Sequence, residues 1–426
     1  MKTKDKLSKT YCPIPFIHSH ASVSGRYKPC CNSDVVDGSK YRNTEYNHSE
    51  WFEHPEMEKL RNDMLTGVQN PMCDVCWDQE KIGSKSYRHH YIRRFKDADI
   101  NNPKITYLDL KLSNECNLGC RMCDYKSSNQ IYKDMLELER QQIPLPMNWG
   151  RSPNFESIAD ENMMNAMPED VFENVVSLLP HLTDLKVTGG EPTITKEFMT
   201  LIDYAIKNDY AKNIILSITT NGTRLTPDFI KKLGAFKQLR INISFDGIGS
   251  NYEYIRYPFT WQMFKKRIQA IKEAMNTDKS NIKSLDFTTT AQMNNLEQLP
   301  LLEEWVWNMF GKEADLQIQP NIRPFNSTND FRFLPKHIIE EAKDKCQEIN
   351  KITKYDCEIL HIALNDVVKN YDSEAMMYFK KEQSLKDMVS DIMNLDKLRN
   401  QNYKVSLGQK TIQWIDDLIE QGIYNV

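Results

Sequence analysis

Three cysteines stand close together in the stretch Asn114-Glu115-Cys116-Asn117-Leu118-Gly119-Cys120-Arg121-Met122-Cys123. Their spacing is C-x3-C-x2-C, and no fourth cysteine is close by. A cubane iron–sulfur cluster has four iron atoms, and cysteine thiolate is the usual ligand of each. Three thiolates leave one iron open to a substrate or cofactor. The spacing therefore predicts a reactive cluster rather than one that only stores electrons.

Short β-rich segments alternate with longer helical segments from about residue 104 onward. The predicted strands cover residues 105–112, 184–188, 213–219, 239–245, 284–290 and 315–319. The predicted helices cover residues 127–141, 169–179, 196–208, 227–233, 261–275 and 296–307. Parallel strands need long crossover connections, so six such units predict an α/β fold with a parallel sheet and helices outside it. Periodicity leaves open whether the sheet is doubly wound or a curved partial barrel.

The composition is that of an ordinary globular protein. The chain has 426 residues, 40% of them hydrophobic, and a net charge of -4. This length suits one large domain and a smaller one, and the charge gives no reason to expect DNA as a partner. No uninterrupted apolar run is long enough to span a bilayer, and no apolar segment follows the charged N-terminus. We therefore expect a cytoplasmic protein without a membrane anchor.

The three cysteines follow directly after the first predicted strand of the alternating region, and three further segments follow later strands. These segments are Lys186-Val187-Thr188-Gly189-Gly190-Glu191-Pro192, Ile218-Thr219-Thr220-Asn221-Gly222 and Ile243-Ser244-Phe245-Asp246-Gly247. In order and placement, the four motifs resemble those of the radical S-adenosylmethionine (radical SAM) superfamily. The resemblance covers roughly residues 104 to 325. It implies a partial (β/α)6 TIM-like barrel, which we place at residues 96–325.

The resemblance also implies a reaction. Cys116, Cys120 and Cys123 would hold a [4Fe–4S] cluster and form the catalytic set. The open iron would bind S-adenosylmethionine (SAM), and one electron from a flavodoxin- or ferredoxin-like donor would cleave it reductively. The resulting 5′-deoxyadenosyl radical would abstract a hydrogen atom from the substrate.

By the same resemblance, cofactor-binding residues lie at the later motifs. Glu191 and the backbone near Gly189 and Gly190 would hold the amino group of SAM. The residues near its ribose or carboxylate would be Asn221, Ser244 and Asp246. Arg256, in Tyr254-Ile255-Arg256-Tyr257, would neutralise a carboxylate. Without the family, Arg256 reads as a surface or structural arginine.

A second cysteine set lies in the N-terminal region, which we take as residues 1–95. It comprises Cys12, Cys30, Cys73 and Cys76. The pattern C…G-x4-C…C-x2-C, with Gly25 before Cys30, resembles the twitch (SPASM-like) module of radical SAM enzymes. That module carries an auxiliary iron–sulfur cluster. A structural zinc site is the alternative, because four cysteines with a C-x2-C pair also bind zinc. Cys31 is an alternative ligand to Cys30.

The N-terminal region also has predicted elements of its own. A hairpin is predicted to turn at Ser24-Gly25. One helix is predicted to begin near Glu50, and a second, basic helix is predicted over about residues 79–96. Residues 143–165 are predicted to form a long loop.

After Pro335 the chain reads as helical, so residues 326–426 are predicted to form a helical C-terminal region. Cys346 and Cys357 lie there and read as core thiols.

Three functions remain open, and a fourth, an iron–sulfur electron carrier, is disfavoured by the presence of Gly190 and Glu191. The favoured one is a radical SAM enzyme that modifies a peptide or protein. The second is a radical SAM dehydrogenase or cyclase acting on a small-molecule metabolite. The third is a zinc-bearing binding protein built on a degenerate barrel.

Overall fold

Strands form where apolar and polar residues alternate, and helices form where apolar residues recur every three to four positions. The structure is a computed structural model, and it describes residues 8–21, 23, 27–33, 47–81, 85–125, 127–146, 167, 169–320, 328–355 and 357–424. The predicted turn at Ser24-Gly25 and residues 147–165 of the predicted long loop lie outside these residues. None of the described helices has the length and apolar character needed to cross a membrane.

The described residues contain eight strands. Their bounds are β1 His18–Ala21, β2 Tyr27–Lys28, β3 Tyr107–Lys111, β4 Asp184–Thr188, β5 Ile215–Thr220, β6 Gln238–Ser244, β7 Ile282–Ala291 and β8 Asp315–Pro320. The six strands predicted after residue 104 correspond to β3 through β8, with bounds that differ by at most two residues. In β5 and β6 every second residue is buried. This alternation leaves the other face of these strands partly open.

The described residues also contain seventeen α-helices, besides short 3-10 turns. Their bounds are α1 Ile14–Ile17, α2 His48–Phe52, α3 Pro55–Thr66, α4 Asp74–Lys81, α5 Tyr87–Arg94, α6 Asn129–Arg140, α7 Glu169–Leu178, α8 Lys196–Lys207, α9 Pro227–Leu233, α10 Ser250–Ile255, α11 Trp261–Met275, α12 Leu299–Phe310, α13 Lys336–Thr353, α14 Glu358–Lys369, α15 Met377–Lys380, α16 Glu382–Arg399 and α17 Gln409–Glu420.

The chain folds as two compact units. Unit 1 comprises Met1–Asn114, Asn165–Ile218 and Leu233–Leu239. Unit 2 comprises Glu115–Met164, Thr219–Lys232 and Arg240–Val426.

In unit 1 the strand order is β2-β1-β3-β4-β5. Strands β1 and β2 pair antiparallel, as the predicted hairpin requires. Strand β1 also pairs in parallel with β3, with His20 opposite Asp109, and this second pairing was not predicted. The pairs β3–β4 and β4–β5 are parallel. The N-terminal region therefore adds two strands, β1 and β2, to the sheet of unit 1.

Two helix predictions in the N-terminal region were wrong. The helix predicted to begin near Glu50 is split into α2 and α3. The break falls at His54-Pro55, where His54 is in extended conformation and Pro55 begins the new helix. Proline disfavours helical geometry in the residue before it and fits the first helical turn. The basic helix predicted over residues 79–96 is also wrong, because α4 ends at Lys81 and α5 begins at Tyr87.

In unit 2 the strand order is β6-β7-β8, and β7 and β8 pair in parallel. An aromatic cluster fills the core beside these strands, with the rings of Phe245 and Phe264 stacked at 5.3 Å between centroids. The predicted helical C-terminal region is confirmed as α13 to α17. Cys346 and Cys357 are 1% and 2% exposed, so both are core thiols.

Candidate active site

The cysteine loop, residues 116–123, is held to the end of α10 by backbone hydrogen bonds. The N–H of Gly119 donates to the carbonyl of Tyr257 at 2.8 Å, and the N–H of Arg121 donates to that of Ile255 at 3.0 Å. Both bonds lie between the first and last cysteines of the motif. They fix the backbone from which Cys120 projects.

The start of α6 holds the other side of the same loop. Ser128 caps this helix, and its hydroxyl donates to the carbonyl of Leu118 at 2.6 Å. The N–H of Cys116 donates to the side-chain oxygen of Asn129 at 2.9 Å. Polar residues at a helix N-terminus commonly make such bonds. Here they tie the cysteine loop to a regular element.

The three thiols of the loop influence one another electrostatically. Burial raises the pKa of the Cys123 thiol, and the neighbouring Cys120 and Cys116 sulfurs raise it further. Burial also raises the pKa of Cys120, which is 8% exposed. Buried thiols in such proximity ionise only with a compensating positive charge, which a bound metal centre provides. The set therefore fits a metal cluster.

Two N–H donors point at these sulfurs. One is Nη1 of Arg256, 3.8 Å from Sγ of Cys120. The other is Nδ2 of Asn221, 3.9 Å from Sγ of Cys116. Hydrogen bonds to cysteine sulfur stabilise the thiolate and tune the reduction potential of an iron–sulfur cluster. Asn221 and Arg256 thus lie against the predicted cluster ligands.

Asp246 and Arg256 form a buried ion pair in unit 2. Asp246 is 0% exposed, and its Oδ1 accepts the backbone N–H of Thr290 at 2.7 Å. Burial raises the pKa of this carboxyl, and the Arg256 guanidinium opposes the rise. Arg256 therefore bridges a carboxylate and a cysteine sulfur. Ser244 is the last residue of β6 and precedes Asp246 by two positions.

The Gly189-Gly190-Glu191 motif belongs to unit 1 and follows β4. Gly189 has φ +140°, and a Cβ there would stand 2.6 Å from the carbonyl oxygen of Ser113. The N–H of Gly190 donates to the same oxygen at 3.0 Å. Glu191 is 0% exposed, and its Oε1 accepts the backbone N–H of Thr193 at 3.0 Å. At this motif the backbone of Gly189 and Gly190 lies close to that of Ser113, and the buried carboxylate of Glu191 follows directly.

The N-terminal cysteines also lie within electrostatic range of one another, all in unit 1. Burial raises the pKa of Cys12 to about 12, with a smaller contribution from Cys76. Burial likewise raises the pKa of Cys73, and Cys12 and Cys76 add to this effect. A hydrogen bond that the Cys30 thiol donates to Cys31 raises the pKa of Cys30, and Cys12 contributes in the same direction. Cys12 is thus electrostatically coupled to all three other predicted ligands.

Sequence reasoning missed a row of polar residues across the sheet of unit 1. The register places His20, Asp109, Lys186 and Ser217 on neighbouring strands. Nζ of Lys186 donates to Oδ2 of Asp109 at 2.8 Å and lies 3.9 Å from Sγ of Cys31. The sequence held a signal, because charged residues alternate with buried leucine and valine in β3 and β4. Alternation of this kind marks a polar sheet face.

Among the described residues, no three histidine, cysteine, aspartate or glutamate side chains surround a position suited to one metal ion. A cubane cluster makes a different demand, because each thiolate binds a separate iron atom. The three thiols, of which Cys120 is buried and Cys116 and Cys123 are partly buried, have N–H donors directed at two of them and meet that demand.

Comparisons with known proteins find similar sequences and similar solved structures. The sequence profile of the Radical SAM superfamily matches residues 110–300. The mycofactocin maturase MftC of Mycolicibacterium smegmatis is 30% identical over 95 residues, which are 22% of this chain and 23% of the maturase. The GTP 3′,8-cyclase of Campylobacter jejuni subsp. doylei is 27% identical over 217 residues, which are 51% of this chain and 55% of the cyclase.

Among solved structures, Streptococcus suis SuiB bound to its precursor peptide SuiA aligns with a TM-score of 0.38 and 12% identity, over 67% of this chain and 61% of that one. The chain spans about a quarter to about half of the length of the two curated relatives. The matched segment contains the cysteine loop and all three later motifs. Residues 110–300 of the chain, an α/β protein with a parallel sheet and a helical C-terminal region, match the Radical SAM superfamily.

Proposed function

We propose that this enzyme cleaves SAM reductively and abstracts a hydrogen atom from a peptide or protein substrate. The observation that carries the proposal is the cysteine loop with its two N–H donors, Asn221 and Arg256, directed at sulfur. When bound, the [4Fe–4S] cluster and SAM supply the electron and the 5′-deoxyadenosyl radical. The protein positions SAM and the substrate and excludes water from the site.

Each motif has a proposed part in this positioning. Cys116, Cys120 and Cys123 hold three irons and leave the fourth to SAM. Glu191, with the backbone at Gly189 and Gly190, binds the SAM amino group. A buried carboxylate suits this role, because it pairs well with an ammonium group.

The remaining predicted residues divide into two groups. Asn221 and Arg256, predicted from the sequence to contact the ribose or carboxylate of SAM, are proposed also to donate to the cluster's cysteine sulfurs, because their N–H groups lie 3.9 and 3.8 Å from Sγ of Cys116 and Cys120. Ser244 and Asp246 are proposed to lie near the ribose or carboxylate of SAM, with Asp246 also holding the Arg256 guanidinium.

The second cysteine set is proposed to carry an auxiliary iron–sulfur cluster. The support is the electrostatic coupling of Cys12 to Cys30, Cys73 and Cys76. Four thiolates would close such a site completely, and a structural zinc ion is the competing occupant. Metal analysis of protein purified without oxygen separates the two.

The proposal of a peptide substrate is supported by the resemblance of the N-terminal cysteines to the twitch module. It is also supported by the similarity to the mycofactocin maturase. The runner-up is a small-metabolite dehydrogenase or cyclase, favoured by the GTP 3′,8-cyclase relatives. The electron donor is proposed to be a flavodoxin or ferredoxin. An untargeted mass comparison of host peptides and metabolites, treated with active enzyme or with an inactive variant, discriminates between the substrates.

The central test is formation of 5′-deoxyadenosine. We would reconstitute the chain with iron and sulfide, add SAM and dithionite, and measure the product by liquid chromatography. The wild type should form it, and the triple variant Cys116→Ala, Cys120→Ala, Cys123→Ala should form none. The matched control is Cys346→Ala with Cys357→Ala, which removes thiols outside the site and should keep the activity. Product from the triple variant would refute the assignment of the catalytic cysteines.

A further inference from the structure

Arg121 lies inside the cysteine loop, yet its side chain is buried and points away into the C-terminal helices. It is 2% exposed and forms an ion pair with Asp396 of α16. Its Nη2 also donates to Oε1 of Gln401 at 2.9 Å, and its Nε donates to the carbonyl of Tyr254 at 3.1 Å. The guanidinium carbon stands 3.5 Å from the centre of the Tyr254 ring. Such a fork of contacts holds one orientation of the side chain.

A second arginine reaches the loop from the same end of α16. Arg399 is 5% exposed, and its Nε and Nη2 donate to Oδ2 of Asp134 at 3.0 and 2.6 Å. A Cβ built on Gly119 would stand 2.8 Å from Nη2 of Arg399. Gly119 lies between the first two cysteines of the motif. The absence of a side chain at Gly119 therefore lets the guanidinium approach the loop.

The end of α16 that supplies these contacts is itself held on two sides. Asp396 accepts the backbone N–H of Tyr403 at 2.7 Å in addition to its bond with Arg121. Leu395 packs into a buried cluster with Ile131, Met135 and Leu138 of α6. The same helix α6 carries Asp134, the partner of Arg399. The last turn of α16 thus joins the cysteine loop and α6 into one packed assembly within unit 2.

Stability alone is a poor explanation for these two ion pairs. Removing charges from water is costly, and a well-packed apolar pair of similar volume is often as stabilising as a buried ion pair, or more so. Both pairs converge on the cysteine loop, one through Arg121 and the other against Gly119. Arg256 adds a third buried guanidinium beside the loop, and its Nη1 lies 3.8 Å from Sγ of the predicted ligand Cys120.

We propose that Asp396, Arg399 and Gln401 are positioning residues that fix the geometry and reduction potential of the cluster by acting through Arg121 and Gly119. This inference rests on the proposed function and extends it to the C-terminal region. Two effects follow. These residues together with Arg121 and Asp134, which we call the clamp, set the spacing of the three thiols. The equal numbers of buried guanidinium and carboxylate groups in the clamp set how readily the cluster accepts an electron. Loss of one carboxylate leaves extra positive charge, which favours the reduced, more negative cluster.

The first variant is Asp396→Asn in the reconstituted full-length chain. We expect the midpoint potential of the cluster, measured by redox titration with electron paramagnetic resonance (EPR) detection, to move to a more positive value. Glu382→Gln is the matched control, because Glu382 pairs with Lys386 on the exposed first turn of the same helix. The control should leave both the potential and the EPR signal unchanged.

A second variant separates an effect on the cluster from a loss of folding, because Asp396→Asn leaves Arg121 buried without its carboxylate partner and can unfold the protein. Arg121→Met with Asp396→Leu removes both charges together and is expected to fold. We expect this double variant to change the EPR line shape on addition of SAM and to form 5′-deoxyadenosine at least about tenfold more slowly. A tenfold loss corresponds to about 1.4 kcal/mol. Gln401→Ala, which removes one contact to Arg121, should shift the same signals in the same direction by less.

The outcomes distinguish this inference from the proposed function. A folded double variant with wild-type potential, line shape and rate overturns the inference and leaves SAM cleavage intact. A wild type that holds the cluster but never cleaves SAM refutes the proposed function, while a shifted potential in the variants still supports the clamp. A wild type that binds no cluster refutes both.

Discussion

Gly189 combines a left-handed backbone with a close neighbour, so its substitution should be costly. Its φ is +140°, and a Cβ would overlap the backbone oxygen of Ser113 at 2.6 Å. Residues other than glycine pay for such a conformation, and a backbone atom cannot move aside as a side-chain tip can. We predict that Gly189→Ala lowers the free energy of unfolding by about 2–3 kcal/mol. Urea denaturation of the cluster-free chain measures this.

Gly67→Ala is the control, because it introduces backbone strain at positive φ without a steric overlap of the new Cβ. Gly67 also has positive φ, at +89°, but a Cβ there meets no atom within 4 Å. We expect a loss of only about 1 kcal/mol. Equal losses in the two variants would show that overlap with Ser113 contributes nothing.

Removing Arg256 should make stability strongly dependent on pH. Burial already raises the pKa of Asp246, and Arg256 opposes this rise. Arg256→Met leaves a buried, unpaired carboxylate, so the folded-state pKa rises further. An acid whose folded pKa exceeds its unfolded value of about 3.9 contributes stability at low pH, and this contribution is lost as pH rises. We predict a loss of about 3–5 kcal/mol near neutral pH and a smaller loss at pH 5.

Urea titrations of Arg256→Met at pH 5 and pH 8 measure this effect. The double variant Arg256→Met with Asp246→Asn lacks the titrating group and should show a much smaller difference between the two pH values. A single variant that is equally destabilised at both would contradict the assigned pairing.

At the scale of elements, the contact between α12 and α13 contains a buried acid. Glu303 of α12 is 0% exposed, and its Oε1 accepts hydrogen bonds from Thr353 and from Nδ2 of Asn350 in α13. Burial raises its pKa, and these two hydrogen bonds only partly oppose the rise. Because the folded-state pKa of Glu303 lies above its unfolded value of about 4.3, the free energy of unfolding falls as pH rises above that value.

We predict that Glu303→Gln weakens the pH dependence of unfolding between pH 5 and pH 8 by on the order of 1 kcal/mol, because one pKa unit is worth about 1.4 kcal/mol. The matched control is Glu304→Gln, the exposed glutamate at the next position of the same helix. The control should retain the wild-type pH dependence. An identical curve for the two variants would show that Glu303 does not titrate with folding.

The elements themselves were largely readable from the sequence where they are long and regular. Strands β3 to β8 alternate with helices that have clear apolar periodicity, and the predicted bounds fall close to those observed. The pairing of β1 with β3 was not readable, because β1 has four residues and its partner lies far along the chain. A strand this short has no detectable period. The break at His54-Pro55 was visible in principle, since proline commonly begins a new helix.

At the scale of the whole molecule, local motifs predicted the cysteine loop but could not predict what holds it. Arg121 and Asp396 are separated by 275 positions. No spacing rule links an arginine inside a cysteine motif to an aspartate on a C-terminal helix. The burial of Arg121 could not be inferred either, because arginine is usually exposed unless it is paired. Contacts of this kind become visible only once the helices are packed.

The two cysteine sets should each hold a separate share of the iron. Wild-type protein purified without oxygen should be brown and carry about two cubane clusters by iron and sulfide analysis. Cys73→Ala with Cys76→Ala should lose about half of the iron, still cleave SAM without substrate turnover, and fail to form product. The triple variant of the cysteine loop should lose the other half and all cleavage, because only its thiolates leave an iron open. Full product formation by the variant Cys73→Ala with Cys76→Ala would show that the N-terminal site has only a structural role. Stoichiometric zinc in the wild type would identify zinc as the metal bound there.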